Sequence, residues 1–287
     1  MAIKKILVPL ADAKTGAGAL SAALGLARDF NAQVVALHVR PDPRAAAMAY
    51  MGEPVSASMI DDVIRASEKR AAANATRVRT LFDEACAKAK IAVGTKVPSA
   101  NAPSASFVDV TGTEDEEIRD RGRVADLLVV ARPQGDLAGP QRLTLEAALI
   151  DTGRPAIVVP PKAAAKIGGN VAIAWNGSTQ AARAVAMAMD FLVTASTVTI
   201  LTAKEDSADY RPNDLKDYLA AHGVSAKVQA IAGKDDAAKA LLAAATKAGA
   251  GLLVMGAYGH SRVRELVLGG VTKHMLQATT VPTLMVH

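Results

Sequence analysis

The chain has 287 residues, a length that suits two domains, and 51% of its residues are hydrophobic, so it can build substantial cores. Its net charge of +5 lies mainly in residues 162–287, which carry 13 Lys and Arg against 9 Asp and Glu. No basic block is interleaved with aromatic residues and no uncharged apolar stretch reaches about 18 residues, so we expect neither a nucleic-acid partner nor a membrane span.

The chain contains one cysteine, Cys86. An intrachain disulfide cannot form, and the composition suits a reducing compartment, which predicts a cytoplasmic location. Because Cys86 lies in a helical run, we interpret it as a small packing residue rather than a nucleophile. The opening residues M-A-I-K-K-I-L-V-P predict a strand and do not have the pattern of a signal peptide.

Strands and helices alternate in the first half. Apolar runs and helical periodicity predict strands at 3–10, 33–39, 127–130 and 156–159 and helices at 15–29, 59–88 and 143–150. Residues 44–57 are predicted to be a loop. Residues 91–97 and 106–111 alternate like one edge strand that prolines interrupt, and the acidic run 114–117 predicts the start of another helix.

The same plan begins again after a linker at 160–169. Strands are predicted at 171–175, 197–202, 224–231, 252–255 and 281–286, and helices at 179–192, 212–221, 235–247 and after Gly270. This alternation predicts parallel sheets that are covered by helices on both faces.

Two pairs of segments repeat between the halves. A-D-L-L-V-V-A at 125–131 corresponds to A-G-L-L-V-M-G at 250–256, and R-P-A-I-V-V-P at 154–160 corresponds to V-P-T-L-M-V-H at 281–287. A repeat of this length indicates a duplicated domain. We therefore predict domains at residues 1–160 and 168–287.

Glycines are concentrated after the predicted strand at 252–255. Gly256 and Gly259 follow it, and Gly269 and Gly270 open the next helix, with Thr272 close behind. Such glycines let a ligand approach the backbone, and the free N–H groups of a helix start suit phosphate. They equally permit tight turns and close helix–strand packing, and spacing alone does not decide between the two interpretations.

The order G-x-x-G, nine residues, then G-x-V-T resembles the nucleotide signature of the universal stress protein family. Gly256, Gly259, Gly269, Val271 and Thr272 match that signature. Gly270 departs from it, since the ATP-binding members usually carry Ser or Thr there, and the lost hydroxyl donor is worth about 1 kcal/mol. The resemblance implies two tandem α/β domains, each a doubly wound, Rossmann-like sheet of five parallel strands in the order 3-2-1-4-5.

The resemblance also implies a ligand and its site in the second domain. The ligand would be ATP, or AMP or ADP, with Mg²⁺ beside the phosphates. Asn176 replaces the family's adenine-contacting Asp, and an amide can both donate to and accept from a base. The residues implied to surround the nucleotide, from base to phosphates, are Ala174, Trp175, Asn176, Ala203, Met255, Gly256, Gly259, His260, Gly269, Gly270, Val271 and Thr272.

The first domain lacks the corresponding glycines. Ala131 and Gln134 stand where the second domain has Gly256 and Gly259, and Ala11 takes the place of the adenine-contacting Asp. Arg142 stands at the position of Gly269 and is expected to pair with Glu146. We therefore predict that the first domain has lost the nucleotide site and serves as a structural partner.

The predicted function is that of a non-catalytic universal stress protein in which the nucleotide is a regulatory ligand. The histidines are scattered without acidic partners at metal-ligand spacing, and no Ser-His-Asp or paired-carboxylate arrangement is visible. Two alternatives remain open, a nucleotide-free interaction scaffold and an enzyme that consumes ATP. Because family dimers meet at the closing strand, the two domains are expected to pair face to face through their closing strands, and a homodimer is a further possibility.

Overall fold

The computed structural model describes residues 2–48, 56–94, 101–134, 140–161, 166–203, 211–231, 237–257 and 270–287. The first-half strands are β1 (Lys5–Pro9), β2 (Gln33–Arg40), β3 (Ala92–Val93), β4 (Ser104–Thr111), β5 (Leu127–Ala131) and β6 (Ala156–Val159). The first-half helices are α1 (Ala13–Phe30), α2 (Pro43–Met48), α3 (Ala57–Ala89), α4 (Glu114–Gly122) and α5 (Pro140–Glu146), which continues as a π-helical segment (Ala147–Asp151).

The second half repeats this order of elements. Its strands are β7 (Asn170–Ala174), β8 (Thr197–Ala203), β9 (Ala226–Ile231), β10 (Leu252–Gly256) and β11 (Thr283–Val286). Its helices are α6 (Thr179–Met187), α7 (Met189–Val193), α8 (Pro212–Ala221), α9 (Ala237–Lys247) and α10 (Gly270–Ala278).

All of these strands belong to one sheet, in the order β3-β4-β2-β1-β5-β6-β11-β10-β7-β8-β9. Within each half the paired strands are parallel, and the predicted order 3-2-1-4-5 is confirmed as β4-β2-β1-β5-β6 and as β9-β8-β7-β10-β11. The first half adds the two-residue strand β3 at its outer edge, so it has six strands where five were predicted.

The two halves join through their closing strands. β6 and β11 pair antiparallel, with Thr283 opposite Val158 and Met285 opposite Ala156. The junction is therefore edge to edge within one sheet, and the expected face-to-face pairing is wrong. Each half contributes its closing strand, β6 or β11, to the junction. The two strands pair by main-chain hydrogen bonds, so the junction leaves both faces of the sheet available for helices. Because β6 and β11 are antiparallel, the strands of the first half and those of the second half point in opposite directions, and their carboxyl ends lie at opposite ends of the strands of the sheet.

Two apolar layers cover the sheet, one on each face. The first core layer includes residues of α1, α3, α6, α7 and α8, and the second includes residues of α4, the π-helical segment, α9 and α10. Each layer contains residues of both halves. In the first layer, the ring of Phe30 at the end of α1 packs edge-on against Phe191 of α7, with ring centroids 5.1 Å apart.

Three local predictions are wrong. Residues 44–57 were expected to be a loop, but residues 43–48 form α2, and residues 49–55 lie outside the described part. The segments at 91–97 and 106–111 do not make one interrupted strand, because β3 and β4 lie side by side as parallel neighbours. The helix expected at 179–192 is divided at Ala188, whose fully buried position and ψ of 3° turn the chain so that Phe191 and Leu192 reach the core.

Cys86 lies in the first core layer, on the face of α3 that packs against the sheet, and only 1% of its surface is exposed. Burial raises the pKa of its thiol to about 11. Because the thiolate is the reactive form, Cys86 serves as a packing residue at neutral pH, as predicted. None of the helices in the described part, including the 33-residue α3, is long and apolar enough to cross a membrane.

The contact between Phe30 and Phe191 predicts that the two halves unfold together. Phe191 is 3% exposed, and Phe191→Ala should lower the free energy of unfolding by about 3 kcal/mol, because it removes a large buried ring that belongs to a layer shared by both halves. Urea unfolding followed by circular dichroism should show one transition at a lower midpoint. Tyr218→Ala, at a position 44% exposed, is the control and should change the midpoint little. Two transitions of which only one moves would contradict a shared core.

Candidate functional site

In the second half, a crevice is defined by the point where the chain leaves β7 and β10 toward opposite faces of the sheet. β7 and β10 are parallel neighbours, and Met255 lies opposite Ala174 at their carboxyl ends. The helix after β7, α6, packs in the first core layer, whereas α10, after β10, packs in the second. In doubly wound sheets, ligands bind at such a switch point because neither connection covers it.

Six of the twelve residues implied to surround a nucleotide lie at this edge of the sheet. They follow or end β7, β8 and β10, whose carboxyl ends point the same way. Ala174, Ala203 and Gly256 are half-buried, and Met255 is buried. The six residues that the structure brings to this edge are Ala174, Trp175, Asn176, Ala203, Met255 and Gly256.

The backbone of Trp175 continues the strand pattern beyond β7, since its N–H donates to the carbonyl oxygen of Leu201 at 2.8 Å. Its half-buried side chain packs against the first core layer. The structure thus supports a packing role for the side chain of Trp175.

Asn176 organises the turn into α6. Its exposed side chain accepts hydrogen bonds through Oδ1 from the N–H of Ser178 at 3.2 Å and from the hydroxyl of Ser178 at 2.7 Å. Ser178 in turn caps α6, with its hydroxyl accepting from the N–H of Ala181 at 3.2 Å. The side-chain oxygen of Asn176 is therefore engaged in the turn, and among the described residues its side-chain nitrogen, with two N–H donors, has no hydrogen-bond acceptor.

Gly256 is required by packing. A Cβ atom at Gly256 would lie 2.6 Å from the backbone nitrogen of Ala181 and 2.7 Å from the carbonyl carbon of Gln180. Both atoms belong to the first turn of α6, so the glycine lets this helix lie directly against the end of β10. For this residue, the packing interpretation of the glycines applies.

The residues that the family resemblance implies for phosphate binding are described only from Gly270 onward. Gly259, His260 and Gly269 lie outside the described residues, and of Val271 only its place in α10 is described. α10 begins at Gly270, and Thr272 is 4% exposed.

The first half has a cavity of about 120 Å³ at the equivalent place, between the carboxyl ends of β1 and β5. Small-molecule sites usually measure about 300 to 1,000 Å³, so this cavity is small for a nucleotide. The polar or charged residues in its wall are Asp12, Thr15, Glu114, Arg132, Gln134 and Thr144.

Two carboxyl groups give this cavity an acidic character. Burial raises the pKa of Glu114, a hydrogen bond with Thr144 opposes this shift, and the charges of Asp115 and Asp12 add to it. Burial would also raise the pKa of Asp12, but hydrogen bonds from Thr15 and Lys14 outweigh burial and lower that pKa, so Asp12 stays ionised. A phosphate group in this cavity would meet the fixed negative charge of Asp12 as well as the positive charge of Arg132.

Arg142 does not offset this negative charge, because its Nε donates to Oε1 of Glu146 at 2.7 Å, which is the pairing predicted from the sequence. Glu114 and Arg132 are the wall residues that sequence reasoning missed. Each follows the carboxyl end of a strand of the first half, β4 or β5, and a charged residue at such a position was the available signal.

The fold and the crevices define a tandem doubly wound α/β protein. The model of the universal stress protein family matches residues 2–145 and 169–287, so the chain belongs to this family. No functionally curated protein matches the chain.

Solved structures share the whole two-half arrangement. A universal stress protein from Archaeoglobus fulgidus DSM 4304 aligns with a TM-score of 0.65 and 18% identity, covering 98% of this chain and 97% of that one. A functionally unknown protein from Pseudomonas aeruginosa PAO1 aligns with a TM-score of 0.58 and 17% identity, covering 99% and 92%. A putative universal stress protein from Pseudomonas aeruginosa UCBPP-PA14 gives 0.57 and 17%, covering 99% and 93%. At these identities the similarity concerns the fold.

The close approach at Gly256 predicts a loss of stability on substitution. Gly256→Ala should lower the free energy of unfolding by about 1 to 3 kcal/mol, because backbone atoms of α6 have to move away from the new methyl group. Gly112→Ala is the matched control, since the nearest atoms to its new Cβ are 4.0 Å away. Chemical denaturation of the three proteins measures the difference, and equal stability of all three would contradict the packing role of Gly256.

Glu114 predicts a pH-dependent stability. Its pKa is raised in the folded state, so the folded state binds this proton more tightly than the unfolded chain does. The stability that protonation contributes is complete below the ordinary pKa of 4.5 and is lost as the pH rises through the raised pKa. Glu114→Gln cannot ionise, and it should raise the Tm at neutral pH with little change below the ordinary pKa.

Glu116→Gln removes a charge from the exposed side of the same helical turn and serves as the control. Thermal unfolding at neutral and acidic pH compares the two variants. A gain at neutral pH that is equal for both would show that the charge of the turn, rather than the half-buried position of Glu114, is responsible.

Proposed function

We propose that this universal stress protein is a non-catalytic regulatory protein of the stress response that binds one adenine nucleotide, ATP or its relatives ADP and AMP, in its second half. The observation that carries the proposal is the switch point at the carboxyl ends of β7 and β10, which are followed by α6 and α10 on opposite faces of the sheet. Family membership supports a nucleotide as the ligand of this crevice.

The base end of the site would be formed by the ends of β7 and β8. Ala174 and Ala203 are half-buried and small, which leaves room beside the backbone for a flat ring. The amide nitrogen of Asn176 would donate to an acceptor of the base, since Oδ1 is held by Ser178. Met255 and Gly256 would border the ribose.

The phosphate end would use backbone donors and positive charge. The N–H groups of Gly270, Val271 and Thr272 open α10, and the positive end of the helix dipole favours an anion there. Gly259 and Gly269 would allow the phosphates to approach the backbone, with His260 beside them. Mg²⁺ bound by the phosphate oxygens would offset part of their charge, and the excess of basic residues in the second half acts in the same direction.

The first half supports the assignment of a single site by contrast. Its crevice retains a cavity, but the wall carries Glu114 and Asp12, and the glycines of the signature are replaced. We therefore propose that the domains, with boundaries predicted at 1–160 and 168–287, have divided their roles between support and ligand binding.

A regulatory role without catalysis is proposed because no general base is positioned for turnover by the sequence pattern. His260 is the single candidate, and we expect nothing beyond slow ATP hydrolysis. A robust rate of hydrolysis that His260→Ala abolishes, with nucleotide affinity intact, would make the protein an ATP-using enzyme.

Titration calorimetry with ATP and Mg²⁺ tests the ligand and its location. We expect one nucleotide per chain, and we expect Gly259→Val to weaken binding at least several-fold, because a branched side chain would enter the phosphate path. Gln134→Val changes the matching position of the first half and should leave the affinity unchanged. Two equivalent sites, or an affinity that Gly259→Val does not alter, would refute the assignment.

Gly270→Ser should tighten binding by up to about tenfold, equivalent to roughly 1.4 kcal/mol, because it restores a hydroxyl donor at the start of α10. The same calorimetric experiment measures it. Mass spectrometry of small molecules that copurify with the chain provides an independent check. Absence of nucleotide in both experiments would favour the alternative of a protein-interaction scaffold.

A further inference from the structure

Arg132 connects the first half to the helix that begins at the proposed phosphate site. It directly follows β5, where its N–H donates to the carbonyl oxygen of Val159 at 2.8 Å. Its half-buried side chain lines the first-half cavity, and its guanidinium donates through Nη1 to the carbonyl oxygen of Gln277, in the last turn of α10. The side chain of one half thus caps a helix of the other.

The geometry of the sheet makes this contact possible. α10 follows β10 and leads back from the carboxyl ends of the second-half strands toward their amino ends. Because β6 and β11 are antiparallel, the first-half strands have their carboxyl ends on that side. The nine residues of α10 span about 13 Å at 1.5 Å per residue. One end of this short helix lies at the proposed phosphate site, and the other lies on Arg132.

The two halves differ at this point. Ala257 occupies the position that matches Arg132, as its N–H donates to Val286 at 2.8 Å in the same way, and an alanine cannot return the contact. In the first half, the carbonyl oxygen of Asp151, at the end of the π-helical segment, accepts from Nε of Arg123 in its own half at 3.3 Å. The link therefore runs in one direction, from the first half to the helix of the proposed ligand site.

We infer that Arg132 is a positioning residue for nucleotide binding, through which the first half sets the placement of α10 and so the affinity of the second half. This inference rests on the proposed function. A cation at the carboxyl end of a helix stabilises it through the helix dipole and satisfies a terminal carbonyl group. A short helix moves as a unit, so a shift at Gln277 displaces the N–H groups at Gly270, and hydrogen bonds to phosphate weaken with such displacements.

The test compares arginine variants of the full chain by calorimetry with ATP and Mg²⁺. Arg132→Met keeps a long apolar side chain but removes the donors and the charge, and we expect it to weaken binding about five-fold or more. Arg132→Lys retains a charged donor and should recover most of the affinity. Hydrogen exchange of the ligand-free chain should show faster exchange at the amides of residues 270–272 in Arg132→Met.

Arg154 provides a matched control. It is also half-buried, and its guanidinium donates to the carbonyl oxygen of Arg123 at the end of α4, with the closer distance 3.0 Å, but both residues belong to the first half. Arg154→Met and Arg132→Met should both lower the Tm. In Arg154→Met, however, the nucleotide affinity and the hydrogen exchange at residues 270–272 should stay at wild-type values.

Two outcomes would overturn the inference. One is an Arg132→Met variant that binds nucleotide and exchanges its α10 amides like the wild type. The other is an Arg154→Met variant that loses as much affinity, which would make global stability the cause. If the wild-type chain itself binds no nucleotide, the proposed function fails, whereas the exchange data still decide whether Arg132 holds α10.

Discussion

The antiparallel pairing of β6 with β11 is the constraint on which the rest of this structure depends. It makes one sheet from two parallel ones, and it lets each apolar layer extend across both halves. It also separates the two crevices. Each crevice lies at the carboxyl ends of the parallel strands of its own half, and these ends point in opposite directions in the two halves. A nucleotide at one crevice cannot contact the other. Communication between the halves therefore needs an element that crosses the sheet, and α10 is such an element.

The duplicated scaffold supports two different chemical environments. The strands at the two switch points pair in the same register, yet Pro9 and Ala131 line a cavity with two carboxyl groups in its wall, whereas Gly256 packs against the first turn of α6. Buried carboxyl groups are costly to ionise, as the raised pKa of Glu114 illustrates. Divergence of a few wall residues thus changes the chemistry of a crevice while the core pattern stays the same.

Sequence reasoning was most reliable where many residues carry one signal. The buried strands read as continuous apolar runs because both faces of a parallel sheet are covered, and the long α3 shows its periodicity over many turns. The two-residue β3 and the short α2 contain too few residues for any period, and the break at Ala188 depends on where Phe191 finds space in the core. Arg132 and Glu114 were missed because their roles depend on Gln277 and Thr144, which are distant in sequence.

The glycines show how one residue type serves different physical needs within one motif. At Gly256 the missing Cβ is explained completely by the backbone of α6, so this glycine would be needed in a scaffold without any ligand. The packing explanation is established for Gly256 alone, since the surroundings of the other glycines of the signature lie outside the described part of the chain. The case for a ligand therefore depends on the switch point between β7 and β10 and on family membership rather than on the number of glycines.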